Sequence, residues 1–236
     1  MLTIKVVLIA LSILSLGNLY SDSPRSYTFG VIVFPPLSVK SSDSTGCEGE
    51  AIDRTRHIIE ASGNKFTLLC APPARIYKMM ELGQVDFTIN VKSTELLKPY
   101  TTFIEPRFTT LKLQLYEYDK KGPNTISGIR GFDYLGYRQE LIEQGFVFSD
   151  SSNPRDSVAM FFKERTKALV TYQRPISHYI NTSLNGKLPD NIVVRELLSI
   201  GTYYGISKRS EYHDELVDIF NKYITQSGAE QFISDH

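Results

Sequence analysis

The stretch 64–95, NKFTLLCAPPARIYKMMELGQVDFTINVKSTE, decides the fold. Its residues 65–70 form a short run rich in Phe, Thr and Leu, bounded by Gly63-Asn64 and Pro72-Pro73. That is the pattern of a buried strand. A helix follows. Pro73 suits a first helical turn, where its missing N–H has no partner in any case, and Ile76, Met79 and Met80 share one face. Gly83 stops the helix, and 85–90 is a second short strand. Strand, helix and strand with short joints make a βαβ unit, whose two strands are expected to be parallel neighbours with a right-handed crossover.

Working outward, 26–34 (SYTFGVIVF) predicts a first strand ended by Pro35-Pro36, which enforces an extended exit. A Ser- and Asp-rich loop over 38–46 leads to a helix over 48–62, with Ile52, Thr55, Ile58 and Ile59 at helical spacing and Gly63 as its stop. After the βαβ unit, 92–106 contains Pro99 and predicts a short helix and loop, and 107–118 (RFTTLKLQLYEY) alternates as a long strand does. The composition shifts at 120–124 (KKGPN). Beyond it, strands over 126–129, 146–148, 168–172 and 192–196 alternate with helices over 133–144, 156–164 and 175–181, which repeats the β-α-β-α-β plan without any sequence repeat. The chain returns through a strand over 202–207 and an amphipathic helix over 211–225, whose stripe of Leu216, Ile219, Phe220 and Tyr223 reads as core packing. A small closing helix is expected over 228–233.

The wording of the opening stretch carries a resemblance. An arginine opening a helix (Arg75), Leu82-Gly83-x-x-Asp86 at its end, a short strand and then Ser93-Thr94-Glu95 resemble the first lobe of the periplasmic solute-binding proteins of family 3. The resemblance implies an α/β, two-lobed periplasmic-binding-protein type 2 architecture, each lobe a mostly parallel sheet flanked by helices, with a ligand cleft between. On that plan 26–117 and 200–236 form lobe 1, and 118–199 form lobe 2. It also implies a monomeric, periplasmic protein that closes around a small polar solute, amino-acid-like or anionic, for an ABC permease or a membrane sensor. Some members resemble cyclohexadienyl dehydratases, an enzyme alternative for which Glu95 would be the general acid. A third option is a partner-binding module without a ligand. Two departures bear on the ligand. The family's Thr-x-Glu-Arg is here Ser93-Thr94-Glu95-Leu96, without the arginine that clamps an α-carboxylate. Its Arg-x-Asp-Ala is here Arg165-Thr166-Lys167-Ala168, with a cation where an acid receives the ligand amine.

Bulk composition narrows the classes further. The chain has 236 residues, with Lys plus Arg and Asp plus Glu at 26 each, so nothing in the charge balance asks for nucleic acid as a partner. Residues 1–17 carry Lys5 as their only charge ahead of an apolar run over 6–16. That run is short for a bilayer span and suits a secretory signal over 1–21, cleaved after Gly17 or Ser21, in preference to an anchor or a buried first helix. The only cysteines are Cys47 and Cys70. In an oxidising compartment such a pair reads as a disulfide, since one would precede the first helix and the other would end a strand at the same sheet edge; two free thiols are the alternative. Two thiols are too few for a structural zinc site, and no cofactor or metal is expected.

No catalytic motif stands out: the sequence has no Gly-x-Ser-x-Gly, no His-Glu-x-x-His and no phosphate-cradling glycine loop. Candidates therefore come from strand ends, because ligands of open α/β sheets sit beyond the carboxyl ends of the strands. In the first half these are Phe34 and Pro35, Arg75 as a grip for a carboxylate or phosphate, and Asn90, Ser93 and Thr94 for a polar head. In the second half they are Asn153 at a helix start, with Arg155 nearby, and Tyr172 and Arg174 after a strand. Each has a plain alternative: a packed core ring for Phe34, a structural ion pair for Arg75, and a helix cap for Ser93 or Thr94.

Overall fold

A computed structural model describes residues 23–42, 46–119 and 122–234. The expected signal segment over 1–21 lies outside the described residues. The first half of the chain holds β1 (Ser26–Val31), β2 (Val39–Lys40), β3 (Cys47–Glu48), α1 (Glu50–Ala61), β4 (Lys65–Cys70), α2 (Pro73–Glu81), β5 (Phe87–Val91), a turn of 3₁₀ helix (Lys98–Tyr100), β6 (Thr101–Phe103) and β7 (Thr109–Tyr118). The second half holds β8 (Thr125–Ile129), α3 (Tyr137–Glu143), β9 (Val147–Ser151), α4 (Pro154–Phe162), β10 (Ala168–Tyr172), α5 (Gln173–Ser183), β11 (Ile192–Ser207) and α6 (His213–Ser227).

The main sheet runs β4-β1-β5-β11-β7-β10-β8-β9, with β6 paired to β11. The βαβ unit of the opening stretch is present as β4, α2 and β5, but its two strands are not neighbours. Strand β1 lies between them, parallel to both. Burial explains the insertion: Phe29, Gly30 and Val31 of β1 are buried, whereas β4 forms the half-exposed edge. Alternation then sorts the side chains into layers. Tyr27, Phe29 and Val31 join the core under α1 and α6. Gly30 faces α2, where a Cβ would lie 2.8 Å from Val85 and 3.0 Å from Ile76. On that side Ile76, Met80, Val85 and Leu97 form a separate cluster.

The second half repeats the arrangement, β9-β8-β10-β7 matching β4-β1-β5-β11, with parallel pairs followed by one antiparallel pair. The two expected strands over 192–196 and 202–207 are one continuous strand, β11, with a register shift between Glu196 and Leu198. Its residues 192–202 pair with β7 and the remainder with β5 and β6, and the two long strands β7 and β11 join the halves. Two expected helices differ. The helix expected from 133 starts at Tyr137, because Tyr134 (φ 54°), Leu135 (φ 62°) and Gly136 (φ 90°) are left-handed and cannot continue a right-handed turn. No closing helix forms over 228–233. That segment instead inserts Phe232 and Ile233 into the core, held by their N–H groups donating to the carbonyls of Arg107 and Phe108.

Several motif residues serve the architecture. Asp86, which is buried, accepts the Thr28 N–H at 2.6 Å and the Ser210 hydroxyl, tying the βαβ unit to β1 and to the segment before α6. Cys47 and Cys70 are bonded, with Cα atoms 5.8 Å apart, inside the usual window for a disulfide. Gly83 ends α2 with φ 72°, and a Cβ there would lie 2.4 Å from the Arg209 carbonyl oxygen. Left-handed backbone alone costs a non-glycine residue roughly 1–2 kcal/mol. Gly83→Ala is therefore expected to lose more than that in chemical denaturation, since the clash falls on backbone; a variant as stable as the parent would contradict this packing.

Candidate functional site

A cavity opens at the carboxyl ends of β1, β5, β8 and β10, where strands of both halves point toward each other. Its empty space is about 870 Å³, continuous with solvent, of which about 100 Å³ is room for the centres of water-sized molecules. One water needs roughly 10–15 Å³ by the latter measure, so the cavity takes a group of waters or one small solute. The walls are mostly apolar and aromatic. Phe34 and Tyr77 from the first half face Phe132, Tyr134 and Tyr172 from the second. The Phe34 and Tyr172 rings meet with centroids 5.6 Å apart, and Tyr134 lies 6.4 Å from Tyr172.

The first-half wall is fixed by local hydrogen bonds. Phe34 and Ser38 exchange backbone bonds around the cis Pro35-Pro36 peptide, and the Ser38 hydroxyl donates to the Ile32 carbonyl while accepting the Phe34 N–H. At the end of β5, the Asn90 amide donates to the Tyr77 hydroxyl at 3.1 Å, and its oxygen accepts from Thr94 Oγ1 at 3.0 Å and from the Val91 N–H at 2.9 Å. Burial is the main cause that pushes the Tyr77 hydroxyl up to about 12, and the Asp133 carboxylate adds to the rise. Burial also raises Tyr134 and Tyr172, and Asp133 again contributes at Tyr172. The Asp133 carboxylate thus acts on hydroxyls from both sides of the cavity.

The second-half wall is the loop between β8 and α3. Tyr134 and Leu135, two adjacent non-glycine residues in left-handed backbone, line the cavity. Such conformations persist only where surrounding contacts over-determine them. Here Tyr134 Oη accepts the Ile129 N–H at 2.6 Å, and Asp133 Oδ1 accepts the Leu135 N–H at 3.2 Å. Arg138 donates to the carbonyls of Phe132 (2.6 Å) and Ile129 (2.9 Å) while forking onto both oxygens of Asp150. Arg138→Ala strips the Phe132 carbonyl and the Asp150 carboxylate of this partner and leaves the Ile129 carbonyl with the Phe132 N–H alone. It is expected to cost about 1–3 kcal/mol in thermal or chemical unfolding, with Arg138→Lys intermediate because an ammonium cannot reproduce the fork. An alanine variant of unchanged stability would show that the loop is held otherwise.

Of the residues expected from the sequence, Phe34, Asn90, Thr94 and Tyr172 line this cavity together. The others lie elsewhere. Arg75 is exposed, since two positions on an α-helix are about 200° apart and the buried Tyr77 takes the inward direction. Pro35 is buried in the turn behind Phe34, and Ser93 is half-buried outside the lining. Asn153 caps α4, accepting the Asp156 N–H at 3.0 Å. Arg174 donates to Thr109 Oγ1 at 2.9 Å and to the Ser234 carbonyl at 3.1 Å, pinning α5 to β7 and the tail. Arg155 is exposed in the first turn of α4, and Glu95 is exposed beside Lys98 at 3.7 Å. Sequence reading missed Tyr77, Phe132, Asp133, Tyr134 and Leu135. The strand-end rule applied to β8 points at this loop, but reading 133 as a helix start concealed it.

No family model matches the sequence, and no curated protein matches it. Solved structures do. A histidine kinase sensor domain with similarity to periplasmic binding proteins superposes with a TM-score of 0.69 at 15% identity, covering 88% of this chain and 93% of that one. The fold is that of the periplasmic binding proteins. An ancestral arginine-binding protein bound to arginine gives a TM-score of 0.70 at 16% identity over 86% of this chain and 93% of that one. A Salmonella typhimurium periplasmic binding protein with high arginine specificity gives 0.70 at 11% identity over 88% and 96%. The periplasmic-binding fold accounts for the two matched half-sheets and for the pair of long strands between them.

Proposed function

We propose that the protein is an exported solute-binding protein of the family-3 kind, whose lobes, 26–117 with 200–236 and 118–199, close around one small polar solute. The observation that carries this reading is the cavity lined by strand ends of both halves, while β7 and β11 run between the halves as a paired ribbon. A ribbon of two strands bends more easily than a full sheet, so the halves open and close about it. Phe34, Asn90, Thr94 and Tyr172, with Tyr77 and the loop over 131–135, contact the solute. The structural neighbours that bind arginine favour an amino-acid-sized guest, and the sensor-domain neighbour favours delivery to a membrane sensor as much as to an ABC permease. Among the described residues no helix is long and apolar enough to cross a membrane. The protein works in the periplasm as a monomer after removal of the segment 1–21.

The test is a thermal-shift and equilibrium-dialysis screen of the natively exported protein against a broad panel of small polar solutes. At least one solute is expected to raise Tm and to bind at one site per chain. A panel without any binder would overturn the reading.

A further inference from the structure

The charges around the cavity are one-sided. Among the described residues that line it, Asp133 carries the one charged side chain, at the exposed lip, and neither lysine, arginine nor histidine lines it. Four arginines that an anionic guest could have used are committed or turned away. Arg138 is forked onto Asp150, Arg174 is tied to Thr109 and Ser234, and Arg75 and Arg155 are exposed elsewhere. A carboxylate entering this space would be desolvated among aromatic rings beside another carboxylate, and a buried charge without a partner costs several kcal/mol. An ammonium entering it meets the opposite situation. It gains the Asp133 carboxylate, the hydroxyl oxygens of Thr94 and the tyrosines as acceptors, and aromatic walls that attract cations.

We propose that the solute is a small organic amine, positively charged and without a carboxylate, bound through its ammonium to Asp133 with its body against Phe34, Phe132 and Tyr172. This rests on the solute-binding reading above and names its ligand class. The cavity selects against α-amino acids by lacking a carboxylate partner, and it selects for their decarboxylated counterparts.

Matched pairs isolate that one chemical difference: tyrosine against tyramine, phenylalanine against phenethylamine, and arginine against agmatine. Each is titrated calorimetrically into the exported full chain. At least one amine is expected to bind at least about tenfold more tightly than its amino acid, a difference of about 1.4 kcal/mol. Asp133→Asn keeps an oxygen for the Leu135 N–H and so keeps the loop. It is expected to lose at least tenfold in amine affinity, with Tm of the unliganded protein and circular dichroism unchanged. Amino acids binding as well as or better than their amines, or amine affinity indifferent to Asp133→Asn, would overturn the ligand class while leaving solute binding intact. Neutral or anionic solutes emerging from the broad panel as the tightest binders would do the same. A panel in which nothing binds would overturn both.

Discussion

Replacing Tyr204 by alanine is expected to lower the unfolding free energy by about 3–5 kcal/mol, the usual cost of deleting a large buried aromatic ring. Tyr204 is fully buried in β11. Its ring stacks on Phe220 of α6 at 4.2 Å and meets Phe108 edge-on at 5.2 Å and Phe232 at 4.8 Å. Its hydroxyl lies 2.9 Å from Thr55 Oγ1 of α1. One side chain therefore joins a central strand, two helices and the C-terminal segment, and none of these can collapse into the void without moving the others. At this chain length 1 kcal/mol corresponds to roughly 2–4 °C, so Tm is expected to fall by about 6–20 °C. Tyr204→Phe is the control. Thr55 Oγ1 still donates to the Ala51 carbonyl at 2.7 Å, so only the ring-to-hydroxyl bond is lost, at about 1 kcal/mol. An alanine variant within about 1 kcal/mol of the parent would mean that this core is not shared in the way described.

Removing the Cys47–Cys70 bridge is the second large effect. The bridge closes a loop with a sequence separation of 23, for which chain entropy gives about 3 kcal/mol. Cys47→Ser with Cys70→Ser is expected to lower Tm by roughly 6–12 °C. The consequence reaches the cavity. Cys47 sits in β3, whose partner β2 follows directly on the Phe34–Ser38 turn, and Phe34, Leu37 and Ser38 line the cavity. The bridge fastens this ribbon to the end of β4, so solute affinity is expected to fall along with stability. Stability and affinity both unchanged under reducing conditions would contradict that linkage.

Periodicity made most of the fold legible. The limits of β4 and β10, the length of β7 and the helical stripes of α1 and α6 follow from alternation, from spacing and from glycine and proline at the ends. What periodicity cannot encode is which strands lie side by side. The unit β4-α2-β5 reads the same whether or not β1 is inserted between its strands, and only burial across the whole sheet decides it. The site was half legible for a related reason. Phe34, Asn90, Thr94 and Tyr172 follow from their places at strand ends. The arginines did not line the cavity because a strand-end position fixes where a residue is and not where its side chain points. Arg75 and Tyr77 share a helix turn but opposite directions, and Arg174 found partners outside. The Tyr134-Leu135 backbone, left-handed without a glycine at either position, has no local sequence signature at all.

What occupies the space between the two half-sheets decides whether the protein binds a solute there. The most direct measurement is a crystal structure of the natively exported protein with the solute it retains through purification. The expected result is density for one small molecule between Asn90, Asp133 and Tyr172, with its cationic group at the Asp133 carboxylate. A solute bound on the outer surface, or a retained solute with this cavity filled by the chain's own side chains, would contradict the account.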